Sequence, residues 1–197
     1  MSYFHFSDYE DTFQSLQKLH SEKHRAYHNC EHIEACLSHL NASSHLFEEP
    51  NAQKEMELAF WFHDAIYNPL KKDNELKSAE LCSKFLSSQS ADPKLINSTY
   101  ELIMATRHSV PLKNEAEKIM VDIDLAVLGS TKSAYQIYRE SVRKEYKWAP
   151  TFLYKKGRRK ILQSFLDRTS IYQTAYFRDQ WESNARSNLE REITELS

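Results

Sequence analysis

The chain sets an imidazole beside a carboxylate in one of its most apolar segments, Ala59-Phe60-Trp61-Phe62-His63-Asp64-Ala65-Ile66-Tyr67. On a helix, Asp64 has Phe60, Trp61, Tyr67 and Asn68 as its neighbours at spacings of three and four. An ionised carboxylate among aromatic rings is costly unless something pairs with it, and a bound cation is one such partner. Candidate co-ligands stand elsewhere. His28 and His32 are four residues apart, so on a helix their rings share a face. Val121-Asp122-Ile123-Asp124-Leu125 offers two acids in an apolar run. Asp124 has Met120, Val121, Val127 and Leu128 at helical spacing, so it needs a partner. Asp122 has Lys118 beside it and is expected to be wet.

His32, His63, Asp64 and Asp124 thus make a coherent metal set. Nitrogen and oxygen donors without thiolate suit one divalent ion such as Mn, Fe, Co, Ni or Mg better than a structural zinc. Four protein ligands on an octahedral ion leave positions for a water and a phosphoryl oxygen. The bland alternative for the same residues is a hydrogen-bonded polar core.

The elements that must position these residues read as helices throughout. Apolar periodicity and caps predict helices from Asp8 to about His24, up to Leu40, over Gln53–Ile66, over Asp73–Leu86 and from Pro93 to about Arg107. Others are expected from Asn114 through Leu128 with Gly129 as the stop, and from Ser130 or Thr131 to Tyr146. A helix from Pro150 or Thr151 is expected to be interrupted near Gly157, and the tail from Ser170 to Glu195 is strongly helical. The expected architecture is one all-α domain over residues 1–197, a bundle of eight or nine helices around a central metal site.

Composition narrows the function. With 41% hydrophobic residues and 12% aromatics the 197-residue chain can bury a core. Two glycines in all exclude a Gly-rich phosphate loop. A formal charge of −2 gives no general attraction to nucleic acid or anionic membrane, so neither is an expected partner. The basic run Lys155-Lys156-Gly157-Arg158-Arg159-Lys160 reads as a solvated helix end, and Tyr135, Tyr138, Tyr146, Trp148, Phe152 and Tyr154 as helix packing. His5, His20, His24, His39 and His45 are expected at the surface. The opening residues show no basic-then-apolar leader, and the odd set Cys30, Cys36 and Cys82 shows no disulfide framework, so a cytoplasmic location is expected. The long aromatic helices are compatible with a homodimer.

The ordered series His32, His63-Asp64, Asp124 resembles the signature of the HD-domain superfamily of metal-dependent phosphohydrolases. The likeness extends through Arg25-Ala26-Tyr27-His28-Asn29, Phe62–Tyr67, Asn74-Glu75 with Ser78-Ala79, Ile123–Leu125 with Leu128-Gly129, Val142–Tyr146, Gly157-Arg158, and Ala185-Arg186 with Asn188-Leu189. These residues resemble a small bacterial branch of predicted HD phosphohydrolases over nearly the whole chain. The resemblance implies a helical fold with a central metal, His32, His63, Asp64 and Asp124 as ligands, and hydrolysis of a phosphate monoester or nucleotide by a metal-activated water. Arg25 and His28 would then touch substrate or support the ligands. Arg143 and Arg158 are further candidates for the phosphoryl charge, and Glu75 for orienting a water or proton. Two-metal relatives insert two more histidines before the final Asp; this chain has only His108 there, which favours a single metal and counts against an iron oxygenase. Ala65-Ile66-Tyr67 stands where signalling-nucleotide hydrolases carry an acidic pair, which motivates a second reading as a non-catalytic nucleotide-binding or sensory module.

Overall fold

The computed structural model describes residues 9–109 and 111–196. Among the described residues there are nine α-helices and no strand, and no helix is long and apolar enough to cross a membrane. The chain gathers into two compact units, one ending at Met120 and the other beginning at Val121.

The first unit holds α1 (Glu10–His20), α2 (Cys30–Ala42), α3 (Pro50–His63), α4 (Asn74–Ser88) and α5 (Pro93–Ala105), and α6 (Glu115–Asp124) starts in it. Its hub is α3, which packs against α2, α4 and α5. Every side chain from Leu58 to His63 is buried. A helical stretch without a polar face can only be internal, whereas the first half of α3 exposes Asn51 and Lys54. Phe62 stacks on Phe85 at 5.6 Å between ring centroids, and Phe13 meets Trp61 edge-on at 4.7 Å.

Three boundaries differ from expectation, and each bears on the site. α3 ends at His63 rather than Ile66, so Asp64 is its C-cap (φ −112, ψ 17) and begins a turn. α2 begins at Cys30, because the Asn29 side chain accepts from the backbone N–H groups of Glu31 and His32. His28 therefore precedes the helix that carries His32. α1 ends at His20; Asp8, expected to open it, and His5 lie outside the described residues. His20 is fully buried rather than exposed, while His24 and His45 are exposed and His39 is half-buried.

In the second unit α6 stops at Asp124 and gives way to a 3₁₀ segment, Ala126–Gly129, instead of running on as one helix. α7 (Lys132–Glu145), α8 (Thr151–Leu166) and α9 (Ala175–Glu195) follow, with α9 against α8 and the 3₁₀ segment. Asn188 of α9 donates to the carbonyls of Leu128 and Ser130 at 2.9 Å each. Gly129 is required by that approach: a Cβ there would meet Trp181 Cβ at 2.5 Å and the Tyr172 hydroxyl at 2.9 Å. Gly157 neither interrupts nor ends α8, and nothing lies within 4 Å of where its Cβ would be. Trp148 and Phe152, expected to pack, are 53% and 70% exposed.

The two glycines should respond oppositely to alanine. Gly157→Ala adds helix propensity at an open position and should stabilise the second unit by about 1 kcal/mol. Gly129→Ala should destabilise it by about 1–3 kcal/mol through overpacking. Denaturant midpoints of the two variants check both signs.

Candidate metal centre

His32 lies in the first turn of α2, and His63 is the last residue of α3. Packing of α2 on α3 brings their rings together, with Nε2 of His32 at 3.2 Å from Nε2 of His63. The carboxylate of Asp64 reaches back to the same point, with Oδ2 at 3.1 Å from His63 Nε2 and 3.8 Å from His32 Nε2. Both imidazoles are buried, whereas the Asp64 side chain keeps 14% of its surface exposed, which leaves the cluster open on one side.

The chemistry of the cluster follows from its hydrogen bonds. Nδ1 of His63 stands 2.8 Å from the Phe60 carbonyl, which can only accept, so Nδ1 carries the proton. In the neutral ring Nε2 then turns a lone pair toward both the Asp64 carboxylate and Nε2 of His32, an arrangement that a proton or a positive charge relieves. A second proton on His63 meets that need, and so does a metal ion. The spacings allow either: 3.1 Å is within hydrogen-bond reach, and two donors bound cis to one ion at about 2.1 Å stand about 3.0 Å apart. Burial works to raise the Asp64 carboxyl, but the imidazoles of His63 and His28, with His32 behind them, outweigh it and hold the group well below the usual carboxylate range.

An aromatic rim surrounds this cluster. His28 stacks on Tyr67 at 4.2 Å, and Tyr27 lies 4.8 Å from the His32 ring. Tyr27 and Tyr67 had no expected role of their own, although Tyr67, three residues past Asp64, was placed to have one. Cys36 lies one turn after His32, its Sγ 3.8 Å from the ring. Glu75 is half-buried in the first turn of α4. His108 follows α5 with a left-handed backbone (φ 54). Asp124 is half-buried at the last position of α6.

The arginines expected to meet phosphate have other partners. Arg25 is buried, and its guanidinium donates to the Glu22 carboxylate and to the carbonyls of His28, Asp64 and Ala65. Arg143, in the second unit, donates to the carbonyls of Tyr146 and Ala149 and lies 4.6 Å from the Tyr154 ring centroid. Arg158 forms a buried two-pronged pair with Glu192 at 2.9 and 3.1 Å and also donates to the Tyr138 hydroxyl. Burial alone would raise the Glu192 carboxyl, but Arg158 reverses the direction.

Asp122 is fully buried rather than wet. It accepts from the backbone N–H of Gln173 and Thr174 at 2.6 and 2.8 Å and from the Thr174 hydroxyl at 2.8 Å, just ahead of α9. Its neighbours on its own helix give no sign of this, because the enclosing residues lie about fifty positions later. Burial nevertheless pushes its carboxyl up to about 6.

No family model matches the chain, and no curated protein or solved structure does either.

Behind the cluster, Nε2 of His20 donates to the Trp61 carbonyl at 3.0 Å, and its Nδ1 is buried without a partner. Burial pushes this imidazole down from 6.5 to about 4. A histidine buried neutral contributes stability that is present above pH 6.5 and lost as the pH falls toward 4. The loss should reach on the order of 3 kcal/mol. His20→Gln, which keeps a donor for Trp61, should flatten the unfolding free energy over that window. An unchanged profile would show that His20 does not carry the acid sensitivity.

Proposed function

We propose that this protein is a metal-dependent phosphohydrolase with one divalent ion on His32, His63, Asp64 and Asp124, acting on a small phosphate monoester such as a nucleotide. The observation that carries the reading is the meeting of two imidazole Nε2 atoms and a carboxylate oxygen at 3.1 to 3.8 Å, in a setting that calls for a cation. Asp124, the acid that the sequence also singles out in an apolar run, is the proposed fourth ligand.

A bound divalent ion supplies Lewis-acid chemistry, making a water more acidic and offsetting charge on a phosphoryl oxygen. The residues around it do the rest. The Phe60 carbonyl holds His63 in the tautomer that presents Nε2. Asp64, kept ionised by its imidazole neighbours, can accept a hydrogen bond from a water on the open side of the cluster. His28, held by its stack on Tyr67, is the group at the rim that can give a hydrogen bond to a phosphoryl oxygen. Glu75 is the proposed second carboxylate for proton transfer. Arg25, Arg143 and Arg158 are left out of phosphate binding, since each guanidinium is already engaged within the protein.

Elemental analysis of wild type beside His63→Ala and Asp124→Ala tests the reading, with hydrolysis of a nucleotide panel and p-nitrophenyl phosphate measured on the same samples. Wild type should hold close to one divalent ion per chain. Both variants should lose it together with activity, by about 100-fold or more. Metal-loaded wild type that is inert across the panel but binds nucleotide would replace the enzyme with a binding module.

A further inference from the structure

The turn that aims Asp64 has a shortage of donors written into its sequence. A continuing helix would pair the Asp64 carbonyl with the N–H of Asn68 and the Ala65 carbonyl with that of residue 69. Residue 69 is proline and has no N–H, while the Asn68 N–H goes to the Asn74 side chain at 3.0 Å. Arg25 supplies what is missing. Its Nη1 donates to the Asp64 carbonyl at 2.6 Å and its Nη2 to the Ala65 carbonyl at 2.9 Å.

The same guanidinium ties down the other side of the cluster. Nη1 also donates to the His28 carbonyl at 3.1 Å, Nε donates to Glu22 at 3.0 Å, and the carbon of the fork lies 5.5 Å from the Tyr67 ring centroid. One planar group, 7% exposed, thus joins the loop that leads into α2 to the turn that leaves α3. Four of its five N–H donors are spent on these bonds, and a lysine, with a point charge and no fork, could not replace them in kind.

We infer that Arg25 is a positioning residue that sets the affinity and geometry of the metal centre by holding the turn from which Asp64 meets His32 and His63. The inference rests on the metal reading above. Ligating groups need to be held to within about 0.5 Å of their productive positions, and loss of an outer partner commonly weakens metal binding by about 10- to 100-fold.

The test is titration of the metal-free full chain with Co²⁺, followed by calorimetry and by the visible absorption of the loaded protein, for wild type, Arg25→Lys and Arg25→Gln. Leu86→Ala, in a buried position of α4 away from Asn74 and Ser78, serves as a control for destabilisation alone. Both Arg25 variants should bind Co²⁺ at least about 10-fold more weakly, with altered visible bands, at temperatures where they remain folded. The control should keep the wild-type affinity and spectrum. Should neither Arg25 variant fold, Glu22→Ala, which loosens the same guanidinium from an exposed partner, decides by the same readings with a smaller loss. Wild-type affinity and spectrum in folded Arg25 variants would overturn the inference and leave the metal reading standing. A wild type that takes up no Co²⁺, Mn²⁺ or Ni²⁺ would overturn both.

Discussion

The first unit depends on how the backbone from Asp64 to Asn68 satisfies its carbonyls once α3 has stopped. Buried carbonyls without donors are not tolerated, and here, apart from the Lys71 N–H that reaches the Asn68 carbonyl at 2.9 Å, the backbone does not provide them. Side chains do so one by one. Arg25 serves Asp64 and Ala65, the Ser78 hydroxyl serves Ile66 at 3.4 Å, His24 serves Tyr67 at 2.9 Å, and Asn74 serves Asn68 at 3.0 Å. Asn74 and Ser78, conspicuous in the sequence beside Glu75 and Ala79, thus act as anchors of the turn. The direction of the Asp64 carboxylate is fixed by this set of bonds.

That turn matters because of what α3 brings to it. Aromatic and aliphatic residues bury the last turns of the helix, Leu58 to His63, so the imidazole at its end is delivered into a largely apolar setting. Burial makes an anion beside it expensive, and the imidazoles make the anion favourable again. The balance produces a low-lying carboxylate against the His63 and His32 rings, where either a proton or a cation offsets its charge. The arginines are outside this balance, each used to close a loop or to neutralise a buried acid.

Much of the helical plan was legible in the sequence, since caps such as Asn114 and Asp92-Pro93 and the near absence of glycine point one way. His63 and Asp64 stood out as polar residues stranded in an apolar run, whereas His32 was marked only by its spacing from His28 and by the family likeness. What escaped was set by partners far along the chain. Lys118 beside Asp122 suggested solvent, but Gln173 and Thr174 enclose that carboxylate. Arg25 looked like a phosphate ligand because its targets, 39 and 40 residues away, are backbone atoms that no residue type advertises. His20 looked like the end of a surface helix, yet it packs under Trp61. Gly157 looked like a break, but one glycine in an otherwise favourable helix costs too little to stop it.

The anchored turn has a consequence for biosynthesis. Every group that holds it lies between Glu22 and Ser78. A ribosome that has released the first 78 residues has therefore delivered every side chain that anchors the turn, before any part of the second unit has emerged.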